Sequence, residues 1–252
     1  MEKILIQTTD NLKLCAVWSR HASATCVLMA HGIRDNKDEK GNFKMLADKL
    51  DILNVDNLRF DFRGHGESEG EFVDMTISKE VQDLESVLKF VESMNYKQII
   101  LLGASFGGCI SSYIDYEKYP KVKALILWYP ALVLGEVNLL TQEEIDEGME
   151  KGWVNVWNFS KTKLFKFGKS LIREIEEDNS YDLMAKIKLP KIFIHGSTDE
   201  NVPVKTIINV AKDSPNSELV IIDGAVHCFS QTDKSYNEKG LEETVKFIKR
   251  FI

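Results

Sequence analysis

Residues Gln98-Ile99-Ile100-Leu101-Leu102-Gly103-Ala104-Ser105-Phe106-Gly107-Gly108 carry an apolar run straight into a G-x-S-x-G pattern. A short apolar run of this kind reads as a strand buried on both faces, the type that parallel sheets use. A serine between small residues at its end reads as a sharp strand-to-helix turn. Only residues without bulk allow the chain to fold that tightly while leaving Oγ exposed. Ser105 is therefore the candidate nucleophile, and the fold class is α/β.

A serine nucleophile needs a general base and an acid to orient that base. Downstream, the strand Lys191-Ile192-Phe193-Ile194-His195-Gly196 leads into the loop Ser197-Thr198-Asp199-Glu200. Asp199 thus sits at a strand's carboxyl end, where open α/β sheets collect functional groups. A further strand, Glu218-Leu219-Val220-Ile221-Ile222-Asp223, leads into a loop that carries His227. Ser105, Asp199 and His227 then stand in the order nucleophile, acid, base, with Glu200, Asp223 and Glu136 as alternatives for the acid. In sheets with such a serine turn, the oxyanion rests on the amide after the nucleophile and on another from a loop after an earlier strand. The strand Cys26-Val27-Leu28-Met29-Ala30 and its exit His31-Gly32-Ile33 supply the second donor, so the amides of Phe106 and Ile33 are assigned to this role.

These features, with the turn Asp61-Phe62-Arg63-Gly64-His65-Gly66-Glu67-Ser68, resemble the α/β-hydrolase superfamily over nearly the whole chain. The stretch Gly70-Glu71-Phe72-Val73-Asp74-Met75-Thr76-Ile77 and a segment inserted after Pro130 are similar to bacterial cinnamoyl (feruloyl) esterases. The resemblance implies a mostly parallel sheet of about eight strands flanked by helices, with an inserted cap. It also implies a serine carboxylesterase that uses an acyl-enzyme and no cofactor, acting on small aryl or short-chain acyl esters. Ala104, Phe106 and Ile33 depart from that family's pattern. A thioesterase or acyltransferase, or a serine aminopeptidase-like amide hydrolase, is the alternative.

The chain has 252 residues with 32 basic and 39 acidic side chains, a formal charge of −7. With no basic block, a nucleic-acid partner is not expected. The N-terminus lacks a signal-peptide pattern and no apolar run is long enough to span a bilayer, so a cytoplasmic protein with no membrane partner is the expectation. The expected partner is a small-molecule ester, with a homodimer possible by analogy. Strand signals near residues 3–8, 12–18, 25–30, 55–62, 98–103, 122–128, 191–196 and 218–223 alternate with helical stripes in the later part. The stripes are Phe43, Leu46, Ala47 and Leu50; Val81, Leu84, Leu88 and Val91; and Leu241, Val245, Ile248 and Ile252. A core of 1–130 and 189–252 is expected to enclose a cap, 131–188.

Within the cap, Thr141-Gln142-Glu143-Glu144 fits a capping box opening a helix to about Lys151. The aromatic-rich stretch from Trp153 to Phe167, including Phe159, suits a hairpin, and Leu171, Ile172 and Ile175 suit a second helix. Trp157 is assigned as a substrate contact. Cys15, Cys26, Cys109 and Cys228 read as reduced core residues. His31, His65 and His195 read as hydrogen-bonded structural histidines, with no metal expected.

Overall fold

The computed structural model describes residues 1–158, 161–229 and 234–252; Phe159 lies outside them. The strands are β1 (Glu2–Gln7), β2 (Lys13–Ser19), β3 (Thr25–Ala30), β4 (Asp56–Phe60), β5 (Gln98–Ala104), β6 (Val122–Trp128), β7 (Trp153–Trp157), β8 (Leu164–Gly168), β9 (Lys191–Gly196) and β10 (Ser217–Ile222). The helices are α1 (Asn42–Ile52), α2 (Ile77–Glu92), α3 (Phe106–Ser112), α4 (Gln142–Lys151), α5 (Lys169–Glu176), α6 (Ser180–Lys186), α7 (Val204–Asp213) and α8 (Lys234–Ile248). Eight strands form one sheet in the order β1-β2-β4-β3-β5-β6-β9-β10, while β7 and β8 pair separately. β2 runs antiparallel to β1 and β4, and the remaining pairings are parallel.

The period-2 geometry of a strand explains why the central strands are apolar throughout. In β3, Cys26, Leu28 and Ala30 join the core that holds Leu84, Leu88 and Val91 of α2 and Ile207 and Val210 of α7. Val27 and Met29 point the other way, into the core of Phe43, Leu46, Ala47 and Leu50 of α1 and Leu241 and Ile248 of α8. Each such side chain removed from water contributes about 1.5–3 kcal/mol, so two layers of helix on one sheet account for the main driving force. The expected stripes of α1 and α2 lie against the sheet. The third stops at Ile248, because α8 ends there and Ile252 projects into solvent. The strand expected to reach residue 62 ends at Phe60, and the chain then enters a turn tied down by charge. Arg63 donates to Asp83 and Asp10, and Lys37 donates to Asp61 and Glu67.

The sheet order puts β3 beside β5, and their onward connections run to opposite sides: β3 leads through α1 to β4, and β5 through α3 to β6. Such a reversal opens a crevice at the carboxyl ends of the two strands. Residues 131–188 contribute α4, β7, β8, α5 and α6. Thr141 and Glu144 form the reciprocal capping box of α4. The β7–β8 hairpin buries Val154, Val156, Phe165 and Phe167 on one face and leaves Trp157 and Leu164 half exposed on the other. Its inner face meets the body at Phe72, whose ring lies 4.8 Å from that of Phe165 and 5.4 Å from that of Phe167. α6, which the sequence reading did not separate from its surroundings, packs against α3 and α7. Among the described residues, no helix is long and apolar enough to cross a membrane.

Gly107 shows how tightly α3 is pressed onto β3. A Cβ there would lie 2.2 Å from the Ala30 carbonyl oxygen and 2.6 Å from that of His31, both backbone atoms that cannot swing away. Gly107→Ala is expected to lower the unfolding free energy by about 3 kcal/mol through overpacking. Gly135→Ala, where a Cβ meets nothing within 4 Å, is expected to change it by less than about 0.5 kcal/mol. Urea melts followed by tryptophan fluorescence test this, and equal midpoints for the two variants would contradict it.

Candidate active site

Ser105 links β5 to α3 with φ 49° and ψ −117°, a conformation that a non-glycine residue adopts only when its surroundings hold it there. Those surroundings are backbone hydrogen bonds on both sides. The Ser105 amide donates to Trp128 O at 2.9 Å, and Ser105 O accepts from the amides of Gly108 and Ala131, each at 2.9 Å. The turn lifts Oγ to the carboxyl edge of the sheet, where the loops after β9 and β10 arrive.

His227, in the 3-10 turn after β10, places Nε2 3.0 Å from Ser105 Oγ, and its Nδ1 lies 2.7 Å from Asp199 Oδ2. The second oxygen of Asp199 accepts from the amides of Asn201 and Val202, each at 2.9 Å. Burial pushes the Asp199 carboxyl up, but the His227 hydrogen bond, the charges of His227 and His195 and the Val202 amide outweigh it. The net result lies below the usual carboxylate range, so Asp199 is ionised at neutral pH. An ionised acceptor at Nδ1 selects the tautomer whose Nε2 faces the serine with a lone pair. The alternative acids are engaged elsewhere or face solvent: Asp223 accepts from the Ser197 hydroxyl, Glu136 accepts from the Thr206 hydroxyl at 2.5 Å, and Glu200 is exposed.

The loop after β3 completes the constellation. A Cβ on Gly32 would lie 3.0 Å from Ser105 Cβ and 3.5 Å from Oγ, so any side chain here would crowd the serine. The Gly32 amide donates to Glu39 Oε2 at 2.8 Å and the Arg34 amide donates to His65 Nε2 at 3.3 Å. Between them the Ile33 amide has no acceptor among the described residues. The Phe106 amide, first in α3, likewise has none, as expected at a helix start.

His31 and His65 spend both ring nitrogens on backbone. His31 Nδ1 donates to Gly32 O at 2.8 Å and Nε2 accepts from the Phe62 amide at 3.0 Å, while His65 Nδ1 donates to Arg63 O at 2.9 Å. Burial pushes His31 down to about 4 and His65 down to about 3, so both are neutral splints for this loop. His195 is buried, and its Nε2 donates to Val202 O at 3.0 Å. Cys228 is a buried thiol that burial pushes up to about 12, consistent with packing rather than reactivity. Three potential metal ligands, Cys15, Asp61 and Glu67, gather within 4.8 Å, but the Lys37 ammonium takes both carboxylates, at 2.7 and 2.9 Å.

Glu39, His65 and Arg34 were not singled out as site residues by the sequence reading. They become visible only where the loop after β3 meets the turn after β4. The Arg34 guanidinium donates to Trp157 O at 2.7 Å and lies 5.7 Å from the Phe167 ring centre, tying this loop to the β7–β8 hairpin. Trp157 itself is 50% exposed at the end of β7.

Residues 21–182 match the family model described as serine aminopeptidase, S33. The mitochondrial palmitoyl-protein thioesterase ABHD10 of Bos taurus is 27% identical over 169 residues, covering 66% of this chain and 54% of that protein. The chain thus spans about half the length of the curated relatives it matches. Est1E from Butyrivibrio proteoclasticus, solved with ferulic acid bound, aligns at a TM-score of 0.81 and 23% identity over 97% of this chain and 99% of that one. Alpha/beta hydrolase domain-containing protein 10 from mouse aligns at 0.83 and 21% identity over the whole of both chains. At these identities the structural likenesses speak for the shared fold, whereas the family match spans most of the sequence, the serine turn included. The chain belongs to the serine aminopeptidase S33 family of α/β hydrolases.

Proposed function

We propose that this chain hydrolyses carboxylic esters through an acyl-enzyme, with Ser105, His227 and Asp199 as its catalytic triad. The observation that carries the reading is the relay from Ser105 Oγ to His227 Nε2, 3.0 Å, and from His227 Nδ1 to Asp199 Oδ2, 2.7 Å, beside two amides with no internal acceptor among the described residues.

In the first half-reaction Ser105 Oγ attacks the ester carbonyl while His227 Nε2 takes its proton, and Asp199 stabilises the imidazolium that forms. The carbonyl oxygen becomes an oxyanion held by the amides of Ile33 and Phe106, each such donor contributing on the order of 3 kcal/mol. Collapse breaks the bond to the alcohol oxygen, which leaves with the proton from His227. Water then attacks the acyl-serine, gives His227 a proton, and releases the acid and the free serine.

The acyl group in this proposal is met by the end of the β7–β8 hairpin, with Trp157, on the face turned away from Phe72, as a substrate contact and Arg34 holding its carbonyl. Aromatic side chains there suit an aryl or short acyl group, and the ferulic acid bound to Est1E is consistent with this choice. Thioester hydrolysis is the second reading, favoured by the match to palmitoyl-protein thioesterase ABHD10. The triad chemistry is the same for both, and the leaving atom is sulfur instead of oxygen.

Ser105→Ala is expected to lower kcat on p-nitrophenyl butyrate by at least about 10³-fold, and Asp199→Asn by about 10³- to 10⁴-fold. The double variant should fall little further, since the residues act as one unit. A Ser105→Ala enzyme as active as the wild type would refute the proposal. Methyl ferulate, p-nitrophenyl butyrate and palmitoyl-CoA compared by kcat/KM separate the two readings: a preference above tenfold for the thioester selects the second. Trp157→Ala should raise KM for methyl ferulate severalfold more than for p-nitrophenyl acetate, whose acyl group is too small to reach a pocket wall.

A further inference from the structure

The last three residues before α1 hold an unusual backbone. Glu39, Lys40 and Gly41 have φ values of 45°, 52° and 94°, and for the first two the left-handed region is strained. Strain of this kind persists only where the surrounding contacts over-determine it. Its effect is to bring the Glu39 carboxyl group inside the protein, at 1% exposure, under the loop that carries Ile33.

There the two oxygens reach different parts of the site. Oε2 accepts from the Gly32 amide at 2.8 Å, and Oε1 accepts from the Tyr129 hydroxyl at 3.2 Å. Tyr129 also has a strained backbone, φ 36°, and its amide donates to Ile194 O at 2.8 Å. Its ring packs edge-on against His227, with centres 4.9 Å apart, and against Phe229 at 4.8 Å. It follows directly on Trp128, whose carbonyl holds the Ser105 amide. One carboxyl group thus connects the loop of Ile33, the peptide beside Ser105 and the ring beneath His227.

We propose that Glu39 is a positioning residue: by holding the Gly32 amide it aims the next amide, Ile33, at the carbonyl oxygen of the substrate, and through Tyr129 it keeps that loop in register with His227. This inference rests on the esterase reading above. The groups facing the carboxyl are Asp35 and Lys40 from its own loop, Tyr129 after β6 and Cys228 after β10. Burial, then the Asp35 charge, push Glu39 up to about 8 against the pull of the Gly32 amide, Lys40 and Tyr129. Glutamine is its natural replacement, since the amide oxygen can accept from Gly32 and the NH2 can donate to the Tyr129 hydroxyl.

The test compares Glu39→Ala, Glu39→Gln and Tyr129→Phe with the wild type on p-nitrophenyl butyrate at pH 7, after circular dichroism has established that each is folded. Inhibition by an aryl trifluoromethyl ketone, whose serine adduct carries the same oxyanion, is measured in parallel. Glu39→Ala should lower kcat by about 10- to 100-fold with KM within about threefold, because a misaimed donor is lost mainly in the transition state. The ketone should weaken by the factor lost from kcat/KM. Glu39→Gln should recover most of the lost kcat, and Tyr129→Phe should lose severalfold in kcat with an unmoved KM. Should Glu39→Ala fail to fold, Tyr129→Phe with the ketone carries the same comparison. The inference is overturned if kcat of Glu39→Ala stays within threefold of wild type, if Glu39→Gln falls as far as Glu39→Ala, or if Tyr129→Phe leaves both kcat and the ketone unchanged. A wild type that neither turns over esters nor is labelled at Ser105 by a fluorophosphonate would instead overturn the esterase reading itself.

Discussion

The backbone of Ser105, held at φ 49° between a strand and a helix, is the constraint to which the rest of this molecule is fitted. A turn that sharp requires α3 to start immediately and to press against β3, and the pressure is visible at Gly107, where even a methyl group would strike the Ala30 carbonyl. It also requires the neighbouring loop to approach within van der Waals distance of the serine, which Gly32 allows. The conformation is sustained by bonds from both sides: the Trp128 carbonyl on one, the Gly108 and Ala131 amides on the other. Trp128 and Ala131 belong to β6 and the segment after it, so the turn depends on the register of the parallel sheet.

Strain is not confined to the serine. Arg34, Glu39, Lys40, Tyr129, Cys228 and Phe229 all have positive φ, and they lie on the loops that surround it. Sheet strands that end at one edge deliver several loops into a small volume, and those loops close only by taking unfavourable backbone angles. The compensation comes from buried polar contacts. His31 and His65 act as neutral bridges, since burial keeps them uncharged, while Glu39 caps the Gly32 amide. In the proposed esterase reading, bracing of this kind keeps amides aimed in advance at a developing charge.

The segment between β6 and β9 adds a second layer. Its hairpin buries Phe165 and Phe167 against Phe72, and Phe72 in turn stacks on His65, 5.0 Å between ring centres. The aromatic chain therefore runs from the inserted segment through the charged turn after β4 to the loop of Ile33. The hairpin is thus joined to the site by ring contacts, without a direct bond to the serine.

Much of this was legible in the one-dimensional chain, and the reasons are local. The apolar runs at residues 98–104 and 191–196 announce strands buried on both faces because a strand there has no polar side to show. The order of Ser105, Asp199 and His227 follows from each residue's place at a strand's end, and the capping box at Thr141 is a four-residue signal read directly. What the sequence could not express is what depends on two distant segments meeting. Glu39 looks like one acid in a charged stretch, Asp35 to Lys40, until α1 and β6 bring it under Gly32 and Tyr129. His31 and His65, 34 positions apart, become one splint because β3 and β4 lie side by side. The sequence by itself determined which residues can form strands, turns and a nucleophile's sharp bend, since those are properties of neighbouring side chains and backbone angles. Only the tertiary structure decided which amides have no internal acceptor among the described residues, because an amide is left open by what its neighbours in space have already taken.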